Sequence, residues 1–334
     1  MSENQKTALV LGIGGQDAAY LSQLLLGKGY KVVGTSRDAT LANRAGLRAL
    51  GIEAAVTVVS MAPTDFRSTL QTVRKHAPDE IYHLAGQTSV GLSFEQPVET
   101  IESIAIGTLN VLEAMRFVER PIRLYHAGSS ECFGDTGEMP ATESTPFRPR
   151  SPYAVAKACA HNLVTNYREA YGMHACTGIL FNHESPLRPE RFVTQKIVRA
   201  AARIGAGSAE TLTLGNLDIH RDWGWAPEYV DAMWQMVQQE QPEDLVIATG
   251  RTVSLKHFVE RAFAAFGLDW IQHVSSDNSL LRPSDIRYGA GSPARALYKL
   301  GWRSTRDVDA VVDALCASAR DALSGTSSSG ATSS

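Results

Sequence analysis

In VLGIGGQDAAYL, residues 10–21, an apolar run passes through Gly12, Gly14 and Gly15 into a helical pattern. A strand that ends in a glycine turn and opens a helix offers backbone N–H groups and the positive end of a helix dipole to an anion. Glycine also lets a phosphate approach the backbone closely. The spacing Gly12-x-x-Gly15-x-x-Ala18 puts alanine where a third glycine often packs helix on sheet, and the strand–turn–helix context points to a dinucleotide pyrophosphate.

Outward from that turn the same rhythm repeats. TALVLGIGG, YKVVGTS, DEIYHLAG, IRLYHAGSS and HACTGILFN are short apolar runs rich in β-branched residues. Between them, DAAYLSQLLLGKG, IGTLNVLEAMRFV and SPYAVAKACAHNLVTNYREAYG repeat apolar residues at helical spacing. Strands alternating with such helices predict βαβ units and a doubly wound, Rossmann-type parallel sheet over residues 1–182. Beyond Asn182 the rhythm breaks into Pro- and Arg-rich stretches, HESPLRPERF and LRPSDIRYGAGSPARAL, with helices such as EYVDAMWQMVQQE between them. Residues 183–322 therefore read as a smaller, partly interleaved α/β substrate lobe, some of whose segments return to the first domain. The Ser/Gly/Thr-rich residues 323–334 have nothing to bury and read as a disordered tail.

The chain has 334 residues and a formal net charge of −3, so it has no basic field for nucleic acid or an anionic membrane surface. Four scattered cysteines form neither a disulfide framework nor a zinc pattern, and no His, Cys or carboxylate cluster has metal-ligand spacing. No apolar run approaches the ~20 residues that span a bilayer, and the N-terminus lacks a secretory h-region. A cytoplasmic, metal-free protein is the expectation.

Two further segments carry chemistry. YAVAK sets Tyr153 and Lys157 four residues apart on one helix face, where an ammonium would favour the phenolate and let the phenol exchange a proton near neutral pH. Alone, the pair recurs by chance too readily to decide anything. The strand ending AGSSECFG places Ser129 and Ser130 before it, either to hold a reacting oxygen beside Tyr153 or to cap the strand end. Glu131 follows at once, and an acid at a hydride-transfer site implies a second, eliminating step. After the second strand, Arg37 suits the 2′-phosphate of NADP, whereas a carboxylate such as Asp38 suits NAD; a solvated loop arginine is the plainer alternative. His83 and His126 lie in expected strands and read as buried, hydrogen-bonded histidines.

The order of these segments resembles the extended short-chain dehydrogenase/reductase superfamily. GQDAAYL, SSE, RPRSPYAVAK, NYREAYGM, GILFNHESP, FVTQKI, LGNLDIHRDWG and QQEQPEDLVIATG, with RPSDI and LGW near the end, are similar to the GDP-mannose 4,6-dehydratase family from about Ala8 to Trp302. The resemblance implies a Rossmann-type fold, tightly bound NADP, and conversion of GDP-mannose to GDP-4-dehydro-6-deoxymannose. It puts Ser129, Glu131, Tyr153 and Lys157 at the catalytic positions. Gly12, Gly15, Gln16, Asp17, Arg37, Leu84, Gln87, His183 and Arg188 fall at cofactor positions, with Tyr153 and Lys157 shared. Asn182, Lys196, Asn216, Arg221 and Arg282 fall at sugar-nucleotide positions, where fixed cations pair with diphosphate oxygens. For Arg221 and Arg282 a surface salt bridge is the competing reading.

Four departures bear on specificity. Ala18 replaces the usual third glycine, Asp38 stands where the family often has a second arginine, and Ser60 stands where an acid contacts the cofactor. SPLRPERF differs from the family's SPRRGETF beside the sugar pocket, which leaves a related substrate such as a GDP-heptose open. A GDP-4-dehydro-6-deoxyhexose reductase, which needs no base for C5, is the nearest rival, and a non-catalytic NADP-binding regulator the remote one. Arg37 and Arg44 in TSRDATLANR match a family loop that reaches a neighbouring subunit, implying a homotetramer or homodimer; a mobile loop is the alternative.

Overall fold

A computed structural model describes residues 5–280 and 283–328. In chain order the first half runs β1 (Thr7–Leu11), α1 (Gln16–Gly27), β2 (Lys31–Ser36), α2 (Ala45–Ala49), β3 (Thr57–Ser60), α3 (Phe66–His76) and β4 (Glu80–His83). Next come α4 (Val90–Glu95), α5 (Pro97–Ile101), α6 (Gly107–Phe117), β5 (Arg123–Ala127), α7 (Pro152–Tyr171), β6 (Ala175–Leu180) and β7 (Asn182–Glu184). The second half comprises α8 (Val193–Gly205), β8 (Leu212–Leu214), β9 (His220–Trp225), α9 (Ala226–Gln238), β10 (Leu245–Ile247), β11 (Thr252–Ser254) and α10 (Leu255–Ala264). It closes with β12 (Val274–Ser276), β13 (Tyr288–Gly289), α11 (Ala294–Leu300) and α12 (Val308–Ser328).

Seven of these strands make one parallel sheet in the order β10-β6-β5-β4-β1-β2-β3. Alternation along each strand sorts the apolar residues onto two faces. Val10, Tyr82, Tyr125 and Cys176 pack under α1 and α9, whereas Leu9, Leu11, Ile81 and Leu124 pack under α3, α6 and α7. A buried parallel sheet needs helices on both faces. Here α9 and β10 come from beyond residue 182: α9 covers β6 beside α1, and β10 extends the sheet edge.

The second cluster forms where α8, α10 and α12 close over β8 and β9, around Ile197, Trp223, Phe258 and Val312. Its small sheet pairs β9 with β7, β11 and β13. At the other end of the chain, α12 runs through Ser328 rather than stopping at residue 322. Val311, Val312 and Leu315 of α12 are buried against α8 and α10, and each further residue added to a formed helix costs little.

Candidate active site

The C-terminal ends of β4, β5 and β6, with Asp17 in the first turn of α1, meet the second cluster in one cleft of about 420 Å³. In open α/β sheets that edge is where ligands bind.

The turn after β1 is built for close approach. Gly12 has φ +87°, and a Cβ there would lie 2.9 Å from Ala85 Cα. Gly15 precedes α1 without any side-chain cap, so the first turn of α1 opens onto this cradle. The residues present therefore fit a bound dinucleotide: a glycine-only turn and an uncapped helix N-terminus.

Gln16 and Asp17 do a different job. Gln16 Nε2 donates to His183 O at 3.0 Å, and Ser185 Oγ donates to Gln16 Oε1 at 2.8 Å. Asp17 Oδ2 lies 2.9 Å from His183 Nε2, while Phe181 O lies 2.8 Å from the other ring nitrogen. Burial opposes charge on both partners, yet each one's charge and their hydrogen bond outweigh it, holding Asp17 below and His183 above its ordinary value. Together these contacts lash the start of α1 to β7. Asp17 still lines the cleft, with Oδ1 buried and without a hydrogen-bond partner.

Next, β5 delivers Ser129 and Glu131. Gly128 must be glycine, since a Cβ would meet Thr177 Cγ2 at 2.7 Å. The chain then turns, with Ser129 Oγ accepting from Glu131 N at 3.3 Å. Thus Ser129 caps the turn and also faces the cleft beside Glu131.

α7 supplies the phenol and the amine. Ser151 Oγ accepts from Ala154 N at 3.1 Å, Pro152 occupies the first turn, and Gly172 ends the helix in a left-handed conformation. This fixes Tyr153 and Lys157 on the buried face, where both line the cleft. The expectation that Lys157 would lower the Tyr153 pKa is corrected: burial pushes the phenol up, outweighing a hydrogen bond with Ser129 that favours phenolate. Lys157 Nζ donates instead to Ala127 O at 2.7 Å and lies 5.9 Å from the Tyr153 ring centroid. Burial pulls Lys157 down to about 8.

Of the other sequence-selected residues, Leu84, Asn182, His183, Arg188, Lys196, Asn216 and Arg221 also line the cleft. Arg221 does so while its guanidinium lies 3.6 Å from Asp285, an ion pair in the cleft wall in which Arg221 is buried, rather than a surface salt bridge. Gln87 is turned away into its own loop, exchanging hydrogen bonds with Ser89. Arg37 is exposed, 4.0 Å from Glu99. Arg282 lies outside the described residues.

Several lining residues were not singled out from the sequence, among them Arg191, Phe192 and Asp285. Arg188 and Arg191 flank the Phe192 ring, with guanidinium carbons 3.9 and 5.0 Å from its centroid. The SPLRPERF stretch, which ends in Arg191 and Phe192, and RPSDI, which contains Asp285, held the hints.

His83 and His126 correct a second expectation. Both are buried, but none of their four ring nitrogens has a hydrogen-bond partner. They sit at paired positions of adjacent strands, with the two imidazoles edge-on at 5.5 Å.

The sequence model described as GDP-mannose 4,6 dehydratase matches residues 9–315. The chain belongs to the GDP-mannose 4,6-dehydratase family. Family members with that name include one from Sinorhizobium fredii (strain HH103), 44% identical over 96% of this chain and 97% of its own. GDP-mannose 4,6 dehydratase 1 of Arabidopsis thaliana is 45% identical over 90% of this chain and 85% of its own. Solved structures share the family's Rossmann-type fold. Thermus thermophilus UDP-glucose 4-epimerase superposes with a TM-score of 0.83 at 23% identity, covering 95% of this chain and 99% of that one. Bacillus anthracis dTDP-glucose 4,6-dehydratase does so at 0.83 and 17%, covering 95% and 97%.

Among the described residues no group of three His, Cys, Asp or Glu side chains could hold a metal. None of the described helices is long and apolar enough to cross a membrane.

Proposed function

We propose that the protein is a GDP-mannose 4,6-dehydratase, a hydro-lyase that keeps its nicotinamide cofactor bound through the cycle. The observation that carries this reading is the convergence of Glu131 with Ser129, Tyr153 and Lys157 on one cleft. A reductase needs the last three alone.

A nicotinamide dinucleotide lying along the Gly12–Gly15 turn would supply a reversible two-electron acceptor for the sugar. Tyr153 acts as phenolate, the form that its hydrogen bond with Ser129 favours against the burial that raises it, and takes the O4 proton as the sugar is oxidised at C4. Lys157, held against the Ala127 carbonyl, keeps positive charge beside the phenol. The 4-ketone acidifies C5, and Glu131 removes that proton. The C6 hydroxyl then leaves as water with a proton from Glu131 or Tyr153, before C6 is reduced and C5 reprotonated. No net oxidation results.

NADP is favoured over NAD. Asp38, the carboxylate that would repel a 2′-phosphate, is folded back to accept from Thr40 N at 2.7 Å and Leu41 N at 3.3 Å, while Arg37 is exposed at the end of β2. Lys196 and Arg221, which line the cleft, supply cations for the GDP diphosphate, and Arg188 one for the cofactor. The assembly is read as a homotetramer or homodimer joined through residues 37–44, where Leu41 is 82% exposed; a monomer by light scattering would remove that part. Residues 1–182 with the returning α9 and β10 form the cofactor unit, and the remainder the sugar-nucleotide unit.

Incubation with GDP-mannose tests the core of this reading. A product lighter by one water, with no net absorbance change at 340 nm, is the expected result. Consumption of added NADPH would instead support the reductase. Loss of water from a GDP-heptose but not from GDP-mannose would keep the chemistry and change the substrate.

A further inference from the structure

One row of side chains beneath α7 has no part in the chemistry above. On the face that packs under α7, β4 and β5 present Ile81 and Leu124 and then, two residues on, His83 and His126. The backbone register continues the row to Thr177 on β6. All three residues are at most 1% exposed. His83 Nδ1 and Nε2, His126 Nδ1 and Nε2, and Thr177 Oγ1 all lack a hydrogen-bond partner. A buried polar atom left unpaired is costly, so a row of five is a feature to be accounted for.

Lys157 of α7 is tied to the same stretch of β5. Its Nζ is bonded to the carbonyl of Ala127, the residue after His126, and it acts electrostatically on both imidazoles. An ammonium has three N–H donors, of which that carbonyl takes one. Burial, reinforced by the Lys157 charge, pulls both histidines down, His83 to about 3, so each is neutral and keeps one bare acceptor nitrogen. The remaining titratable groups around them are Tyr153 and His161 on α7, Cys132 and Glu131 in the turn after β5, Asp17 on α1, and Asp244 and Arg168 beside His161. Of these, His161 acts on His126, while Cys132 and Asp17 act on Lys157.

We propose that His83 and His126 are positioning residues for Lys157, their neutral ring nitrogens accepting its spare N–H bonds through one bridging water and holding the ammonium under Tyr153. The inference rests on the assignment of Lys157 to the reaction; its test does not need turnover. With lysines labelled at the ε-carbon, the Lys157 titration is followed by NMR in the parent, His126→Leu, His83→Leu and His126→Gln. Leucine continues the Ile81/Leu124 stripe, so those variants should fold. Loss of an acceptor for an ammonium lowers its pKa. Each leucine variant should move Lys157 down from about 8 by roughly one unit, while His126→Gln, which keeps an acceptor, should stay within about a third of a unit of the parent. Turnover should follow: for His126→Leu, kcat at pH 8 falls roughly fivefold with KM little changed, the alkaline limb of the profile shifts to lower pH, and His126→Gln recovers most of the loss. An unchanged Lys157 titration in both leucine variants would overturn the proposal, as would glutamine shifting it as far as leucine. A parent without dehydratase activity would remove the proposed function, and the titration would still decide this point.

Discussion

Strand β4 carries Glu80 at one end and His83 at the other, both about 1% exposed, and their surroundings differ completely. Glu80 is saturated: Lys6 Nζ at 3.1 Å, Tyr30 Oη at 3.0 Å, Tyr82 Oη at 2.8 Å and Gln238 Nε2 at 3.2 Å all donate to it. His83 has no hydrogen-bond partner. The two ends of one strand show how this sheet divides its labour. At the N-terminal edge a buried charge is neutralised and joins β1, β2, β4 and α9. At the C-terminal edge His83, His126 and Thr177 lie buried under the cleft without a hydrogen-bond partner.

This contrast can be broken most directly at Glu131. Glu131→Gln should lower dehydration by about 10²- to 10⁴-fold, because a positioned acid–base group is worth that much, with the urea midpoint unchanged. A variant that is destabilised yet dehydrates normally would reverse the roles of the two edges. Glu80→Ala is the complementary test. It strands Lys6 and two buried hydroxyls and should cost about 2–3 kcal/mol in urea unfolding, while kcat/KM of the remaining folded enzyme stays within about twofold.

Asp17 and His183 sharpen the comparison, since they form a hydrogen-bonded pair at the same edge where His83 and His126 have no partner. Asp17 is held below its ordinary 3.8, so its contribution is present above that value and lost as pH falls through the folded pKa. His183 is held above its ordinary 6.5, so its contribution is complete below 6.5 and lost as pH rises through the folded value. The pair should therefore stabilise most between those two values. Asp17→Asn should cost about 1–2 kcal/mol there, and less on either side, in chemical denaturation across pH. The smallest effect belongs to Arg37, exposed on the outer rim. Arg37→Ala should weaken NADP binding about tenfold and leave NAD nearly unaffected, as titration calorimetry would show.

Much of the fold was legible because its signals are local. The alternation of apolar runs and helical repeats predicted strands and helices that the structure contains, from the β1 turn to α7. What escaped was long-range. Nothing in EYVDAMWQMVQQE says that this helix covers the first sheet beside α1, nor that LVI at 245–247 extends that sheet. The same division runs through the site. Ser129 with Glu131, and Tyr153 with Lys157, are set by spacing within a turn and a helix. The meeting of Asn182, Lys196, Asn216 and Arg221 with them is a product of the second cluster closing over the sheet edge.

By itself, then, the sequence determined the glycine turn, the order of the βαβ units and the identity of the groups that could exchange protons. Only the tertiary structure decided the state of those groups. It turned Lys157 onto a carbonyl and raised Tyr153 where lowering was expected, and it left two buried imidazoles without partners. Spacing is written into consecutive residues, whereas desolvation depends on what packs over a side chain from elements far away in the chain.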